Sequence, residues 1–298
     1  MSSLTDLSRY VYGTTRLGDD SIPFADRVVI AEKAMDAGVW FHSSHQYGNA
    51  LEVLNAAFDS NRSKTPRMIF KIGWSSVDEI RGQIELQLNA VGKTHMDVGQ
   101  LCAGGDIADH LINGGSTLAG LSQLKEEGLV GNFVLEVFPW TSHIALGALQ
   151  SGNSIGLIDG YIFYLNPLQR FASNELWNLL MDRGDKIVAM RTVSGGDVMK
   201  LKDNTDAPAW LRERAQEVAP LFVESGIGTW SEFAARYSLG FTNVIATVGA
   251  SSREAGLNEF LAATQDPKPL DSGIVDKILE MQRRWSDDVD MKAEPWTM

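Results

Sequence analysis

The sequence predicts an α/β fold, a single (β/α)8 TIM barrel spanning residues 1–298. Three observations carry that prediction. Short apolar strands alternate with amphipathic helices along the chain, the pattern of βαβ units joined into a parallel sheet. Runs such as MIFKI and YIFYL are apolar in both phases, as strands buried on both faces require. Eight such units divide the 298 residues into lengths of about 37 each, which suits a closed barrel. An open doubly wound sheet is the alternative, but no G-x-G-x-x-G follows a predicted strand and no Walker loop occurs.

The elements follow in order. An early strand covers Tyr10–Thr15. Val28, Val29, Ala31, Ala34 and Met35 recur at helical spacing between Phe24 and Gly38. VWF, Val39–Phe41, reads as a buried strand before a helix at Ala50–Phe58. Strand Arg67–Trp74 precedes helix Val77–Leu88, and strand Met96–Cys102 precedes helix Leu118–Glu127, which Gly128 ends. Strand Asn132–Phe138 and helix Thr141–Leu149 come next, then GYIFYL with helix Asn174–Met181, and KIVAMR with helix Pro208–Glu224. NVIATVG pairs with helix Arg253–Ala263, and a terminal helix covers Ile274–Trp285. No proline-rich or glycine-serine linker divides the chain, and the longest irregular stretch, Thr192–Ala207, is a candidate loop at the barrel mouth.

Composition narrows the function classes. Hydrophobic residues make up 44% and charged residues 21%, ordinary for a globular protein. The net charge is −12, from 38 acidic and 26 basic side chains. That disfavours nucleic acid and an anionic membrane surface as partners, leaving a small-molecule substrate. Cys102 is the single cysteine, so no disulfide can form within the chain. The segment MSSLTDLSRYVYG lacks a basic region followed by an apolar run, and no stretch approaches ~18 consecutive apolar residues. A cytoplasmic protein is expected; the oligomeric state is left open.

Barrel active sites form at the C-terminal ends of the strands. There the sequence places His42, His45 and Tyr47, then Lys71 and Trp74, Cys102, Glu136 with Phe138 and Trp140, Tyr164 with Asn166, and Arg191. Lys71 sits between Phe70 and Ile72. A buried ammonium needs an anion, or its pKa falls. Glu136 supplies the charge, or Lys71 is neutral and nucleophilic, or its head simply reaches solvent. Tyr47 is a proton donor or a core aromatic with a satisfied hydroxyl. His42 is a general base or a hydrogen-bonded filler. Cys102 is a thiolate or a small core hydrophobe. His42, His45, Cys102 and Glu136 carry zinc-ligand atoms, but their spacing matches no known zinc pattern, and no metal is expected.

The segment AEKAMDAGVWFHSSHQYGNALEVL resembles the A-x-x-A-G-x-x-x-F-D-T-A-x-x-Y-G pattern of the aldo-keto reductase superfamily, with Glu52 following. GTTRLG, FKIGW, HMDVGQLC, LKEEGLVGNF, YLNPLQR and GASSREAGLNEFLAA fall in the family's order. The resemblance implies an NAD(P)H-linked oxidoreductase acting on a small carbonyl or sugar-like substrate. Tyr47 would be the proton donor and Lys71 its tuner, with His42 and Cys102 completing the catalytic group. Cofactor contacts, NADP or NAD, would come from Gly13, Thr14, Thr15, Asn166, Arg191, Ser251 and Arg253. His45, Trp74, Glu136, Phe138 and Trp140 would line the substrate pocket. The sequence also departs from the family. His42 stands where the family has Asp, and Cys102 where it has His. Glu136–Val137 replace a Ser-Asn pair that grips the nicotinamide amide, and Ile162 replaces a Gln. Ala255 and Glu259 replace an Arg and an Asn near the adenosine phosphate. Two other readings therefore stay open. One is a non-redox lyase or isomerase using Tyr47, Lys71, His42 and Glu136 in acid–base or imine chemistry. The other is a cofactor-free, inert homologue.

Overall fold

Parallel strands with apolar residues in both phases must be covered on both faces, and the chain does this by closing its sheet. A computed structural model describes residues 3–74, 76–193 and 196–287. The strands are β1 (Tyr10–Gly13), β2 (Trp40–Ser43), β3 (Met68–Trp74), β4 (Met96–Ala103), β5 (Val130–Val137), β6 (Ile158–Asn166), β7 (Gln169–Arg170), β8 (Ile187–Met190) and β9 (Val244–Ala250). Among the described residues, eight of them are parallel and run around the ring in chain order. β1 pairs with both β2 and β9, and the β5–β6 pairing completes the closure. β7 is a two-residue strand that folds back antiparallel on β6.

Alternation along each strand divides the buried side chains between two cores. Val11, Trp40, Ile69, Val98, Val134, Ile162, Val188 and Ala246 fill the barrel interior, with Leu4 and Leu7 packed against them. Those two leucines flank a short 3-10 turn, Leu4–Asp6, that precedes β1. The opposite phase, including Phe41, Phe70, Phe133 and Phe163, packs outward against the helices. Helices Phe24–Asp36, Ala50–Ser60, Val77–Val91, Ser142–Ser151, Asn174–Arg183, Ala209–Glu224 and Glu254–Gln265 stand where the spacing predicts them, within a few residues.

Three segments differ from the sequence expectation. Gly105–Asn113 and Trp230–Leu239 are helices that the pattern did not announce. The first is short, flanked by glycines, and buries only Ile107 and Leu111 beneath an exposed face with Asp106, Asp109 and Asn113; the second is buried on most of its surface and shows no clean polar face. The stretch 192–207 contains a short helix, Val198–Leu201, capped by Asp197. The last helix, Ser272–Asp287, docks through Ile274, Ile278 and Trp285. Its Gln282 accepts from the Tyr237 hydroxyl at 2.9 Å and donates to the Asn166 carbonyl at 2.8 Å.

The loop after β1 and the turn after β2 touch backbone to backbone. A Cβ at Gly18 would lie 1.9 Å from the Tyr47 carbonyl oxygen, so only glycine permits this approach. Buried Arg27 ties the same two segments together. Its Nη1 donates to the Leu17 carbonyl at 2.7 Å and to Asn49 Oδ1 at 2.5 Å, and its Nη2 meets Asp20 at 3.2 Å. Gly18→Ala is therefore expected to cost about 1–3 kcal/mol, the usual penalty of overpacking. Gly82→Ala, inside helix Val77–Val91 with nothing within 4 Å of the new methyl, should gain about 0.5–1 kcal/mol from helix propensity. Urea midpoints of the two variants measure the difference; equal midpoints would contradict the close approach.

Candidate active site

Moving two residues along a strand keeps a side chain on the same face and carries it one layer toward the mouth. From the apolar interior layer this step leads from Trp40 to His42, Ile69 to Lys71, Val98 to Gln100, Val134 to Glu136 and Ile162 to Tyr164. A further step from Gln100 reaches Cys102. The barrel thus has a hydrophobic floor and a polar upper layer, at the end where barrel sites form.

The centre of that layer is a buried ion pair. Lys71 Nζ lies 3.1 Å from Glu136 Oε1, with the Glu136 side chain 1% exposed and that of Lys71 20% exposed. Cys102 Sγ donates to Glu136 Oε2. The Phe138 ring lies 5.9 Å from the ammonium and stacks on Trp140 at 4.8 Å and 5°. Burial alone would depress the Lys71 pKa, but Glu136, with Tyr47 and Cys102, overrides it and raises the value. Lys71 is therefore held as an ammonium, and of the three readings open for a lysine on this strand the structure contains the first, the charge supplied by Glu136. Burial and then the Glu136 carboxylate push the Cys102 pKa well up. Cys102 stands as a neutral thiol donor, not a thiolate.

His42 is fixed below this pair. Its Nε2 lies 2.6 Å from Gln100 Oε1, and Gln100 Nε2 contacts Met190 Sδ at 3.9 Å. Burial lowers the His42 pKa to about 4; the Gln100 bond opposes this and the Lys71 charge adds to it. His42 is neutral near pH 7, so Nε2–H donates to Gln100. Tyr47 stands on the turn after β2, its ring 6.2 Å from that of His42. Burial raises the phenol pKa, Lys71 pulls it back down, Glu136 raises it, and a bond with the Thr15 side chain lowers it.

One cavity of about 220 Å³ gathers His45, Lys71, Cys102, Glu136, Phe138 and Trp140, with Gln46, Ile72, Gly73, Ala103 and Thr141 completing its wall. Tyr47 and His42 are not among the residues that line it. The Trp74 side chain lies outside the described residues. His45 Nδ1 is buried with no hydrogen-bond partner. Gln87 holds the wall in place: its Oε1 accepts from the His45 amide at 3.0 Å, and its Nε2 donates to the Lys71 carbonyl at 3.0 Å.

The residues expected around a cofactor are spread along the other side of the mouth. Gly13 ends β1 beside Ala250, where a Cβ would meet Val248 at 3.3 Å. The Thr14 hydroxyl is buried and bonds the His42 carbonyl at 3.0 Å and the Ser43 hydroxyl at 2.8 Å. Thr15 is exposed at the rim. Asn166 is fully buried, and its amide builds a turn. Its Nδ2 donates to the Arg191 carbonyl at 2.8 Å, and its Oδ1 accepts from the Leu168 amide at 2.9 Å. Arg191 takes a left-handed backbone (φ 55°) and places its guanidinium 5.2 Å over the Tyr164 ring. Ser251 Oγ accepts from the Arg253 amide at 3.1 Å, directly before helix Glu254–Gln265. Ser251 and Arg253 do not line the cavity. Among the described residues, no three His, Cys, Asp or Glu side chains are grouped to hold a metal, and no helix is long and apolar enough to cross a membrane.

Sequence reasoning missed Gln100, Gln87 and Arg27. Gln100 was readable, because it shares the inward phase with Val98 and Cys102. Gln87 and Arg27 lie on helices, and their partners are distant in sequence.

No protein-family model matches the chain, and no curated protein matches its sequence. Solved structures share its fold. An aldo-keto reductase from Bacillus halodurans in its holo form is 20% identical with a TM-score of 0.70, covering 95% of this chain and 98% of that one. The thermostable aldo-keto reductase Tm1743, solved with the inhibitor epalrestat, is 16% identical with a TM-score of 0.70 over 92% of this chain and 95% of that one. An aldo/keto reductase from Klebsiella pneumoniae in complex with NADP and acetate is 13% identical with a TM-score of 0.68 over 93% and 92%. The chain is a (β/α)8 barrel of aldo-keto reductase type.

The His42 environment gives a pH prediction. Its pKa falls from 6.5 to about 4 on folding, so between these values the unfolded chain binds the extra proton. Stability is then complete above pH 6.5 and falls as the pH drops toward 4, by about 3 kcal/mol from this group. Urea unfolding at pH 7 and pH 4.5 should show a smaller loss in His42→Asn than in the parent chain. Equal losses would mean that His42 is not buried neutral.

Proposed function

We propose that the chain is an NADP(H)-linked oxidoreductase of small carbonyl compounds, with Tyr47 as the proton donor. One observation carries this reading: an ammonium-form Lys71, whose charge reaches the buried Tyr47 phenol, lines a small cavity at the mouth of a barrel whose structural neighbours are aldo-keto reductases. Two of the similar structures, both from Klebsiella pneumoniae, hold NADP or NADPH, which supports the same cofactor class here.

The chain's own residues fit the phosphate end of such a cofactor. Arg253 is exposed at the N-terminus of a twelve-residue helix, where free N–H groups and the helix dipole favour an anion, and Ser251 is held beside it. Arg191 and Tyr164, after β8 and on β6, stack as a cationic and aromatic pair. The amide end is more sparely furnished. Ile162 is apolar and belongs to the floor, Glu136 is engaged by Lys71 and Cys102, and Asn166 is engaged by backbone. Binding is therefore carried by the phosphates.

A bound reduced nicotinamide would supply the hydride to the carbonyl carbon. The protein's residues do the rest. The Tyr47 phenol, kept protonated by burial, donates its proton to the developing alkoxide. Lys71 stabilises the phenolate that remains. Glu136 keeps Lys71 charged, and the Cys102 thiol holds the carboxylate in place. His42, neutral and tied to Gln100, packs beside the Tyr47 ring without adding charge. Phe138 and Trp140 shield one wall from water.

The test is twofold. NADPH titration should quench tryptophan fluorescence to saturation, and Arg253→Ala should weaken binding about tenfold or more, the worth of one charge-assisted contact. Oxidation of NADPH with small aldehydes should fall by about 10²–10⁴ in Tyr47→Phe, the usual share of a general acid. Lack of saturation at millimolar cofactor would overturn the assignment.

A further inference from the structure

Glu136 has no task in hydride transfer beyond balancing the charge of Lys71. Its placement suits a different step. The carboxylate is buried, and its residue lines the cavity. Oε2 accepts from Cys102. Oε1 lies 3.1 Å from Lys71 Nζ, yet no donor is aligned on it as a hydrogen bond. A carboxylate oxygen with an unused lone pair, in contact with the ammonium that would polarise a carbonyl, is a base set beside an electrophile.

We infer that this pocket also enolises small α-hydroxy carbonyl compounds without any nicotinamide, with Glu136 as the base and Lys71 and Tyr47 as the electrophilic partners. The inference shares Tyr47 and Lys71 with the reductase reading but needs no cofactor. In an α-hydroxy aldehyde or ketone, the carbonyl oxygen and the α C–H belong to adjacent carbons. Two protein groups in contact can address both at once. With the oxygen held by Lys71 and Tyr47, the α-carbon falls toward Glu136. His45, whose Nδ1 is buried without a partner, lines the same cavity.

The proton accounting closes within the site. Glu136 takes the proton from the α-carbon, and that C–H electron pair becomes the C=C bond of an enediol. The carbonyl π pair moves onto oxygen, which takes the Tyr47 proton. In the return step the Tyr47 phenolate removes the proton of the neighbouring hydroxyl, whose electrons form the new C=O. The C=C pair then takes the proton back from Glu136. The aldehyde and ketone forms interchange, Glu136 and Tyr47 are restored, and no oxidant or reductant is consumed. An ammonium next to the enediolate and a neutral acid to protonate it are the groups such a step requires.

The experiment is proton NMR in D2O, with the full chain and unphosphorylated glyceraldehyde or dihydroxyacetone, and no nicotinamide added. Deuterium should enter the α-carbon at least 100-fold faster than in buffer. Glu136→Gln, which keeps the shape and removes the base, should lose at least 100-fold of that rate. Glu136→Asp, which keeps the charge, should retain part of it and guards against loss of fold in the amide variant. Wild-type exchange no faster than buffer, or equal exchange in Glu136→Gln, would overturn the inference. NADPH oxidation measured on the same preparations separates the two readings. Reduction without exchange overturns enolisation alone, and exchange without reduction overturns the oxidoreductase assignment alone.

Discussion

An ammonium inside a barrel has to be answered by a negative charge, and the Lys71–Glu136 contact is that answer. Removing one partner of a buried pair typically costs 3–5 kcal/mol, because the other charge is left stranded. Everything around the cavity adjusts to this pair. Cys102 is held as a thiol first by burial and then by the Glu136 charge it faces. His42 stays neutral partly because Lys71 is positive. Tyr47 feels the two charges with opposite sign. The mouth of a chain with net charge −12 is thus locally balanced.

The pair also explains how the site departs from the pattern its sequence resembles. There the acid is expected on β2 and a histidine on β4. Here the histidine stands on β2 as His42, the carboxylate on β5 as Glu136, and a thiol on β4 as Cys102. Tyr47 and Lys71 fall on the positions the resemblance implies, while the carboxylate stands on another strand. All inward positions of one layer of a closed barrel face the same small volume, so a carboxylate on β5 reaches a lysine on β3.

Most of the fold was legible because parallel strands announce themselves as doubly apolar runs, and YIFYL or MIFKI needed no tertiary knowledge. Helix Trp230–Leu239 was not legible, since it is buried on nearly every side and a helix without a polar face has no amphipathic signature. The site was legible where period-two phasing sufficed: Lys71, Glu136 and Cys102 follow from strand alternation. The choice between a charged and a neutral Lys71 was not, because it turns on a 3.1 Å contact between strands separated by a third. Asn166 shows the converse. Its type and place suggested a ligand contact, but its amide is spent on the Arg191 carbonyl, a bond that secures the one non-glycine left-handed residue among those described.

Cys102 is the only thiol in the sequence, and it lies in the cavity wall. A sulfhydryl reagent therefore has one address in the whole molecule, and that address is the candidate active site. Because the thiol is partly buried and protonated, its modification requires a reagent to enter the cavity and the bond to Glu136 to break. The rate of that single reaction becomes a clock for access to the pocket. Anything that fills the cavity slows the clock, whether or not it undergoes chemistry, so occupancy can be followed before a substrate is known.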